Sequence, residues 1–268
     1  MFSLRPLVAA SLLLVSAAAS FADDKVVADW TTTGNASLVS DYLPRGVSQT
    51  QHQPTWQATI EAAHKAGWYV GSFGSGVSHA AYPNGGGAEI DLWAGRRWTV
   101  GEGQFDLGAY TYWFPGSTST GPDGKTVSFS TQEIKLGYNW GAFNVAAWVS
   151  PTTTWFGFAY DPRTGEQRNT RGSTYLEANW STDVAENLSL ALHVGTERLR
   201  GISEYNFVEE RIGLNWTQGR WVFGAAISHN DGKSYLSDGT PLWIFSDANG
   251  RGRKVTGTFG LVSAAYSF

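Results

Sequence analysis

The chain has no cysteine. An exported protein without disulfides has to be held together by a large closed sheet of its own. Charge is also scarce, at 16% of residues, against roughly 25% in soluble domains. The formal net charge of −4 leaves no basic footprint, so nucleic acid is not an expected partner. Long apolar runs are missing too. Mean hydropathy is −0.23, which excludes a helical membrane protein but not a barrel with a polar lumen. Helical periodicity is absent after Asp23. Residues Trp56–Lys65 come nearest, but Trp56, Ala58, Ile60 and Ala62 against Gln57, Thr59 and Glu61 also fit a strand, and we take the strand.

Glycine and aromatic residues are abundant: 32 Gly, 13 Trp, 11 Tyr and 14 Phe. Such a composition suits a membrane barrel with aromatic girdles. The 268 residues fit one all-β domain. Residues 1–22 are set apart from it. Arg5 supplies a positive start, Leu7 to Val15 an apolar core, and Ser20 and Ala22 precede a cut before Asp23. The apolar core is too short and too rich in Ala and Ser to span well, so it reads as an export signal. Residues 23–268 are the expected barrel domain.

Twelve strands are predicted: 35–44, 55–65, 68–76, 88–97, 105–114, 127–140, 143–155, 173–181, 188–196, 205–216, 221–229 and 255–268. Alternation is clean in several. Ile134, Leu136, Tyr138 and Trp140 oppose Glu133, Lys135, Gly137 and Asn139; Leu188, Leu190, Leu192 and Val194 oppose Ser189, Ala191, His193 and Gly195. The links alternate in length. Arg45–Pro54, Val77–Gly87, Pro115–Thr126, Phe156–Gly172, Glu197–Glu204 and Asn230–Lys254 are long; Ala66–Gly67, Trp98–Gln104, Gly141–Ala142, Thr182–Asn187 and Thr217–Arg220 are short. Membrane barrels segregate long loops and short turns to opposite ends, and a soluble sandwich has no reason to. A weak repeat agrees: Q-E-I-K-L-G-Y-N-W-G with F-N-V-A-A-W is similar to E-R-I-G-L-N-W-T-Q-G with W-V-F-G-A-A-I.

The short turns bring Trp68, Trp98, Trp140, Trp180, Trp216, Trp221, Tyr266 and Phe268 to one level, as a membrane-interface girdle requires. The last strand is amphipathic, with Val262, Ala264, Tyr266 and Phe268 on one face, and its edge needs the first strand as partner. The expected fold is therefore an all-β, single-chain, antiparallel up-and-down transmembrane barrel. Its apolar face meets lipid, because only a closed barrel satisfies every backbone group there.

With apolar faces outward, Glu61, Glu89, Asp91, Arg97, Asp106, Glu133, Lys135, Glu177, His193, Glu209 and Arg211 look inward and are candidate pore-lining residues. Acids outnumber bases, which favours cations modestly. Alternatively, these groups pair and plug a lumen already narrowed by Tyr110, Tyr112 and Trp148. Enzyme chemistry has little to stand on. His52, His64, His79, His193 and His229 show no metal spacing, Gly85–Gly87 precedes no helix, and no cofactor is expected. A barrel lipid hydrolase needs a Ser–His pair, and His193 is its only start. An adhesin is a further alternative, its binding carried by Asn230–Lys254.

The stretch Gly34–Gln57 (G-N-A-S-L-V-S-D-Y-L-P-R-G-V-S-Q-T-Q-H-Q-P-T-W-Q) resembles the opening of the TorF-type porins, a proteobacterial family. The resemblance rests on Ser40-Asp41-Tyr42, Arg45-Gly46, Ser48-Gln49-Thr50 and Pro54, then on A-E-I-D-L-W-A-G (Ala88–Gly95), Tyr69–Ser72 and Tyr112–Pro115. Leu43-Pro44 departs from the family's usual aromatic or branched apolar pair, and Pro44 should end or kink the first strand. The terminal Phe268 is similar to the C-terminal signal of bacterial outer-membrane barrels. These likenesses imply a porin of the Gram-negative outer membrane with passive diffusion of small solutes. A substrate-specific channel for a sugar, nucleoside or organic acid is the alternative. They also imply partners: outer-membrane lipid, the barrel-assembly machinery through the last strand, and small solutes. Asp41 and Arg45 share a parity, so both are expected to face the lumen and to pair at a constriction.

Overall fold

The computed structural model describes residues 29–247 and 249–268. The expected export signal, 1–22, lies outside them. In chain order the strands are β1 (Trp30–Val39), β2 (Thr55–His64), β3 (Trp68–Gly76), β4 (Ala88–Val100), β5 (Gly103–Trp113), β6 (Thr118–Thr120), β7 (Thr126–Ser128), β8 (Thr131–Trp140), β9 (Phe143–Val149), β10 (Thr174–Ala185), β11 (Leu188–Arg198), β12 (Phe207–Gln218), β13 (Trp221–Asn230), β14 (Ile244–Ser246), β15 (Gly252–Lys254) and β16 (Thr258–Ser267). The short pairs β6–β7 and β14–β15 are hairpins within loops. The other twelve form one closed antiparallel barrel, ordered β1-β16-β13-β12-β11-β10-β9-β8-β5-β4-β3-β2. Among the described residues no helix is long and apolar enough to cross a membrane, which says nothing about a barrel.

Closure is made by β1 on β16, from Asn35 opposite Ser267 to Val39 opposite Ser263. Gly34 and Phe268 exchange backbone bonds of 3.1 and 3.0 Å at its end. Tight turns occupy one end of the barrel. Gly141 has φ 56°, a conformation two-residue hairpins need and side-chain-bearing residues resist.

Side-chain distribution is inverted relative to a soluble protein. Leu38, Leu92, Leu136, Val194, Ile212 and Val262 are exposed outward, whereas Glu89, Asp106, Glu133, Lys135, Glu197 and Glu209 are buried inward. All eight expected girdle aromatics sit on outward-facing positions toward the short-turn end, Trp180 half-buried. Trp56 and Trp113 mark the opposite end of the outer face, also exposed.

Several boundaries differ from expectation, four of them as follows. The first strand is Trp30–Val39, not 35–44: pairing with β2 carries it back to Trp30 opposite His64, and it leaves the sheet after Val39, ahead of Pro44 and the left-handed backbone of Arg45 (φ 49°). Residues 127–128 belong to the loop hairpin β6–β7 rather than to the β8 ladder. β9 stops at Val149 before Pro151, which has no N–H for a ladder. The last strand begins at Thr258, after Gly257 at φ 135°.

The long loops pack over the other end. Val47, Trp155, Ile202, Phe207, Trp243 and Val255 form a buried apolar cluster there. Polar clasps join the loops at their exposed rims: Tyr160 donates to Asp123 at 2.7 Å, and Arg163 bonds Glu204 at 2.7 Å. The bonds from Tyr160 and Lys125 hold the Asp123 carboxyl down to about 2.

Candidate functional site

The first long loop folds into the barrel instead of projecting from it. Asp41 anchors it as an acceptor, taking bonds from Ser48 Oγ and Thr50 Oγ1, both at 2.7 Å. His52 Nδ1 lies 2.7 Å from its other oxygen. The S-D-Y…S-Q-T-Q-H pattern is thus a local polar knot. The turn Pro44–Gly46 then meets the neighbouring β12–β13 wall. Arg211 donates to Leu43 O at 2.6 Å, and Asn230 donates to Arg45 O at 2.9 Å. Gly46 is required there: its φ is 69°, and a Cβ would lie 3.0 Å from those of Glu209 and Asn230.

This turn aims Arg45 across the lumen. Its Nη1 donates to Glu133 Oε1 at 3.1 Å and to Glu197 Oε2 at 2.7 Å, and its Nη2 donates to Glu133 Oε2. The guanidinium lies 4.2 Å from the Tyr175 ring centroid. A planar cation held by two carboxylates and a ring face is a rigid, directional arrangement that lysine could not reproduce. It links the loop after β1 to β8 and β11, on the opposite side of the barrel.

Two further polar layers lie in the barrel. Toward the short turns, Arg97 donates to Glu61 at 2.7 and 3.1 Å and reaches Asp106 at 3.6 Å. Asp106 also accepts from Tyr69 at 2.5 Å and from Lys135 at 3.1 Å. On the β9–β12 wall, Trp148 donates to Glu177 at 2.8 Å and Tyr175 donates to Glu209 at 2.5 Å. His193 contacts Asn179 at 2.6 Å and lies against Glu209. No serine touches its ring nitrogens in these contacts, so the Ser–His start of a hydrolase is not assembled at His193.

All eleven inward-facing strand candidates occupy the lumenal face. Asp41 and Arg45 lie in the loop. The expected Asp41–Arg45 pair does not form. The strand ends at Val39, so neither residue lies in the sheet: Asp41 turns back to its own loop, and Arg45 goes across the barrel. Glu197 is not among the candidates read from the sequence, because the predicted strand 188–196 stops one residue short of it. The alternation of Gly195 and Glu197 against Val194 and Thr196 was the available signal. Also outside those candidates are Tyr42, Tyr69, Trp93 and Tyr175, whose polar atoms or rings line the charged layers.

Between the loop and the β2–β5 wall is a cavity of about 430 Å³. Its lining includes Tyr42, Arg45, Phe73, Glu89, Asp91 and Tyr112. A smaller space of about 70 Å³ lies on the other side of the loop, by Asp41 and Arg211. The inward loop therefore divides the lumen unequally. The larger space keeps Glu89 and Asp91 on its wall.

Several solved barrels are similar in fold. The KdgM porin in complex with disordered oligogalacturonate is 8% identical, with 89% of this chain and 99% of that one covered, at a TM-score of 0.49. The NanC porin is 8% identical, with 88% and 99% covered and a TM-score of 0.48. The P. putida toluene transporter TodX is 10% identical, with 92% and 90% covered and a TM-score of 0.46. These likenesses are low, and the barrel assignment rests on the strand ladder itself. No curated protein matches the chain. A family model does: the one described as bacterial protein of unknown function (Gcw_chp) matches residues 24–245, most of the sequence, and the chain belongs to that family.

Proposed function

We propose that this protein is an outer-membrane channel through which small solutes pass passively. The observation that carries the reading is the inverted barrel: an apolar, aromatic-rimmed outer face around a lumen of charged and tyrosyl side chains. Backbone groups satisfied by closure and non-polar side chains turned outward suit hydrocarbon, and a polar interior suits water and solutes. In this proposal the export signal at 1–22 delivers the chain across the inner membrane. The last strand engages the barrel-assembly machinery, and lipid then surrounds the barrel. In this proposal the chain is a TorF-type porin, a reading supported by the resemblance of its Ser40–Pro54 stretch. No enzymatic step or cofactor belongs to the proposal.

The Arg45 bridge favours the selective form of this reading over a wide general pore. A guanidinium pinned across the interior leaves narrow spaces beside it, and such spaces discriminate solutes by charge and shape. The test is solute flux into liposomes that hold the purified full chain. Swelling in small uncharged sugars, absent from protein-free liposomes, is the expected result. Liposomes that stay as tight as the protein-free control overturn the proposal.

A further inference from the structure

Glu89 and Asp91 lie two residues apart on β4, so both carboxylates share the lumenal face. They are 3% and 7% exposed. Glu89 Oε2 and Asp91 Oδ1 have no hydrogen-bonding partner. Neither acid takes part in an ion pair among the described residues. Their polar neighbours are each other and the Tyr42 hydroxyl. Every other lumenal acid named above lies within ion-pairing distance of an Arg, Lys or His side chain, whereas these two have only the Tyr42 hydroxyl. Two buried carboxylates left like this are costly when both are ionised, and a proton or a cation relieves the cost.

The rest of this wall is aromatic. Phe73 and Tyr112 are the ladder partners of Asp91 on either side. Tyr42, from the inward loop, packs 5.7 Å from Phe73. Tyr82, from the second long loop, stacks on Phe114 at 4.0 Å and faces both acids. All these except Phe114 line the cavity of about 430 Å³.

We infer that the β4 wall of this cavity binds organic cations, specifically protonated primary amines. An ammonium group carries three donors and can satisfy both orphan oxygens at once. Ring faces hold its charge and its alkyl stem. The cavity is large enough for such a molecule. A divalent metal fits less well. It needs six or more oxygen ligands, whereas this wall offers two acids and carbon rings, with no metal-holding group of three among the described residues. The inference rests on the channel reading for the ligand's route, while binding itself needs no conduction.

Isothermal titration of the detergent-purified full chain tests it, with butylammonium chloride as probe, butanol as uncharged control and calcium chloride as inorganic control. Saturable binding of butylammonium, and not of butanol, is the expected result. The near-isosteric variant E89Q/D91N should bind it about tenfold more weakly or worse while keeping the gel mobility of a folded barrel. Absence of saturable butylammonium binding, equal binding of butanol, binding of calcium alone, or undiminished binding in folded E89Q/D91N each overturns the inference. If E89Q/D91N fails to fold, Tyr82→Leu, which lies outside the barrel strands, replaces it. Weaker amine binding then supports the site, and unchanged affinity overturns it. Amine binding without liposome flux would remove the channel and keep this site. Flux without amine binding would do the reverse.

Discussion

The two sides of the lumen treat their carboxylates differently. On the β8–β12 side, Glu133 and Glu197 hold Arg45, and Glu209 holds Tyr175 and His193. On the β4 wall, Glu89 and Asp91 face rings and each other. On the first side each of these acids has a cationic partner or a donor, although Glu197 Oε1 and Glu209 Oε2 are left unbonded, and the layer fixes the loop in place. The second is unfinished, because its charges still want a partner. Support and recognition are thus separated within one barrel, and the inward loop is the boundary between them.

The sharpest way to break this contrast is on the supporting side. Glu133→Ala strips Arg45 of a two-point partner and leaves a buried cation short of charge. Loss of one member of a buried pair costs about 3–5 kcal/mol. The thermal transition of the folded band in detergent should fall markedly, and an unchanged transition would mean the bridge bears little. A charge on the lipid face comes next. Leu136→Arg places a cation outward on β8, next to Lys135, which is tolerated inward. It should cost about 2–4 kcal/mol near the bilayer midplane, measured by refolding into vesicles. Equal tolerance at 135 and 136 would argue that the two faces meet similar media.

On the unfinished side the sign reverses. E89Q/D91N removes unpaired buried charge, so the barrel should be no less stable, and more stable by about 1–2 kcal/mol if the acids are ionised when empty. A clear loss of stability would show that these acids have a supporting role after all. The smallest effect belongs to the loop rim. The Asp123 carboxyl is held below its ordinary value by Tyr160 and Lys125, down to about 2. A depressed carboxylate stabilises above its unfolded value and ceases to do so as pH falls through its folded one. The clasp between the two loops should therefore loosen only between roughly pH 4 and pH 2, seen as faster proteolysis there. Asp123→Asn should abolish that acid-dependent step and leave channel properties alone.

Much of the wall was legible from local pattern. A period of two is visible in any short window, so Ile134 and Lys135 could be assigned to opposite faces without knowing their neighbours. Loop parity ordered the strands and placed Trp140 and Trp216 at one end. The contents of the lumen were not legible in the same way. Arg45 finds Glu133 and Glu197 across separations of 88 and 152 residues, and no local pattern encodes that. The Asp41–Arg45 pair failed for a related reason: parity holds only while the chain stays in a sheet, and β1 leaves it after Val39. Glu89 and Asp91 were placed on the right face, but that they lack a donor is a property of the assembled interior.

In the proposed channel a water-filled path runs through this barrel and narrows at Arg45. Single-channel current across a planar bilayer, wild type against Arg45→Ala, tests it most directly. Discrete steps for the wild type and larger steps for Arg45→Ala are predicted. Silence from both, or steps of identical size and ion preference, would contradict it.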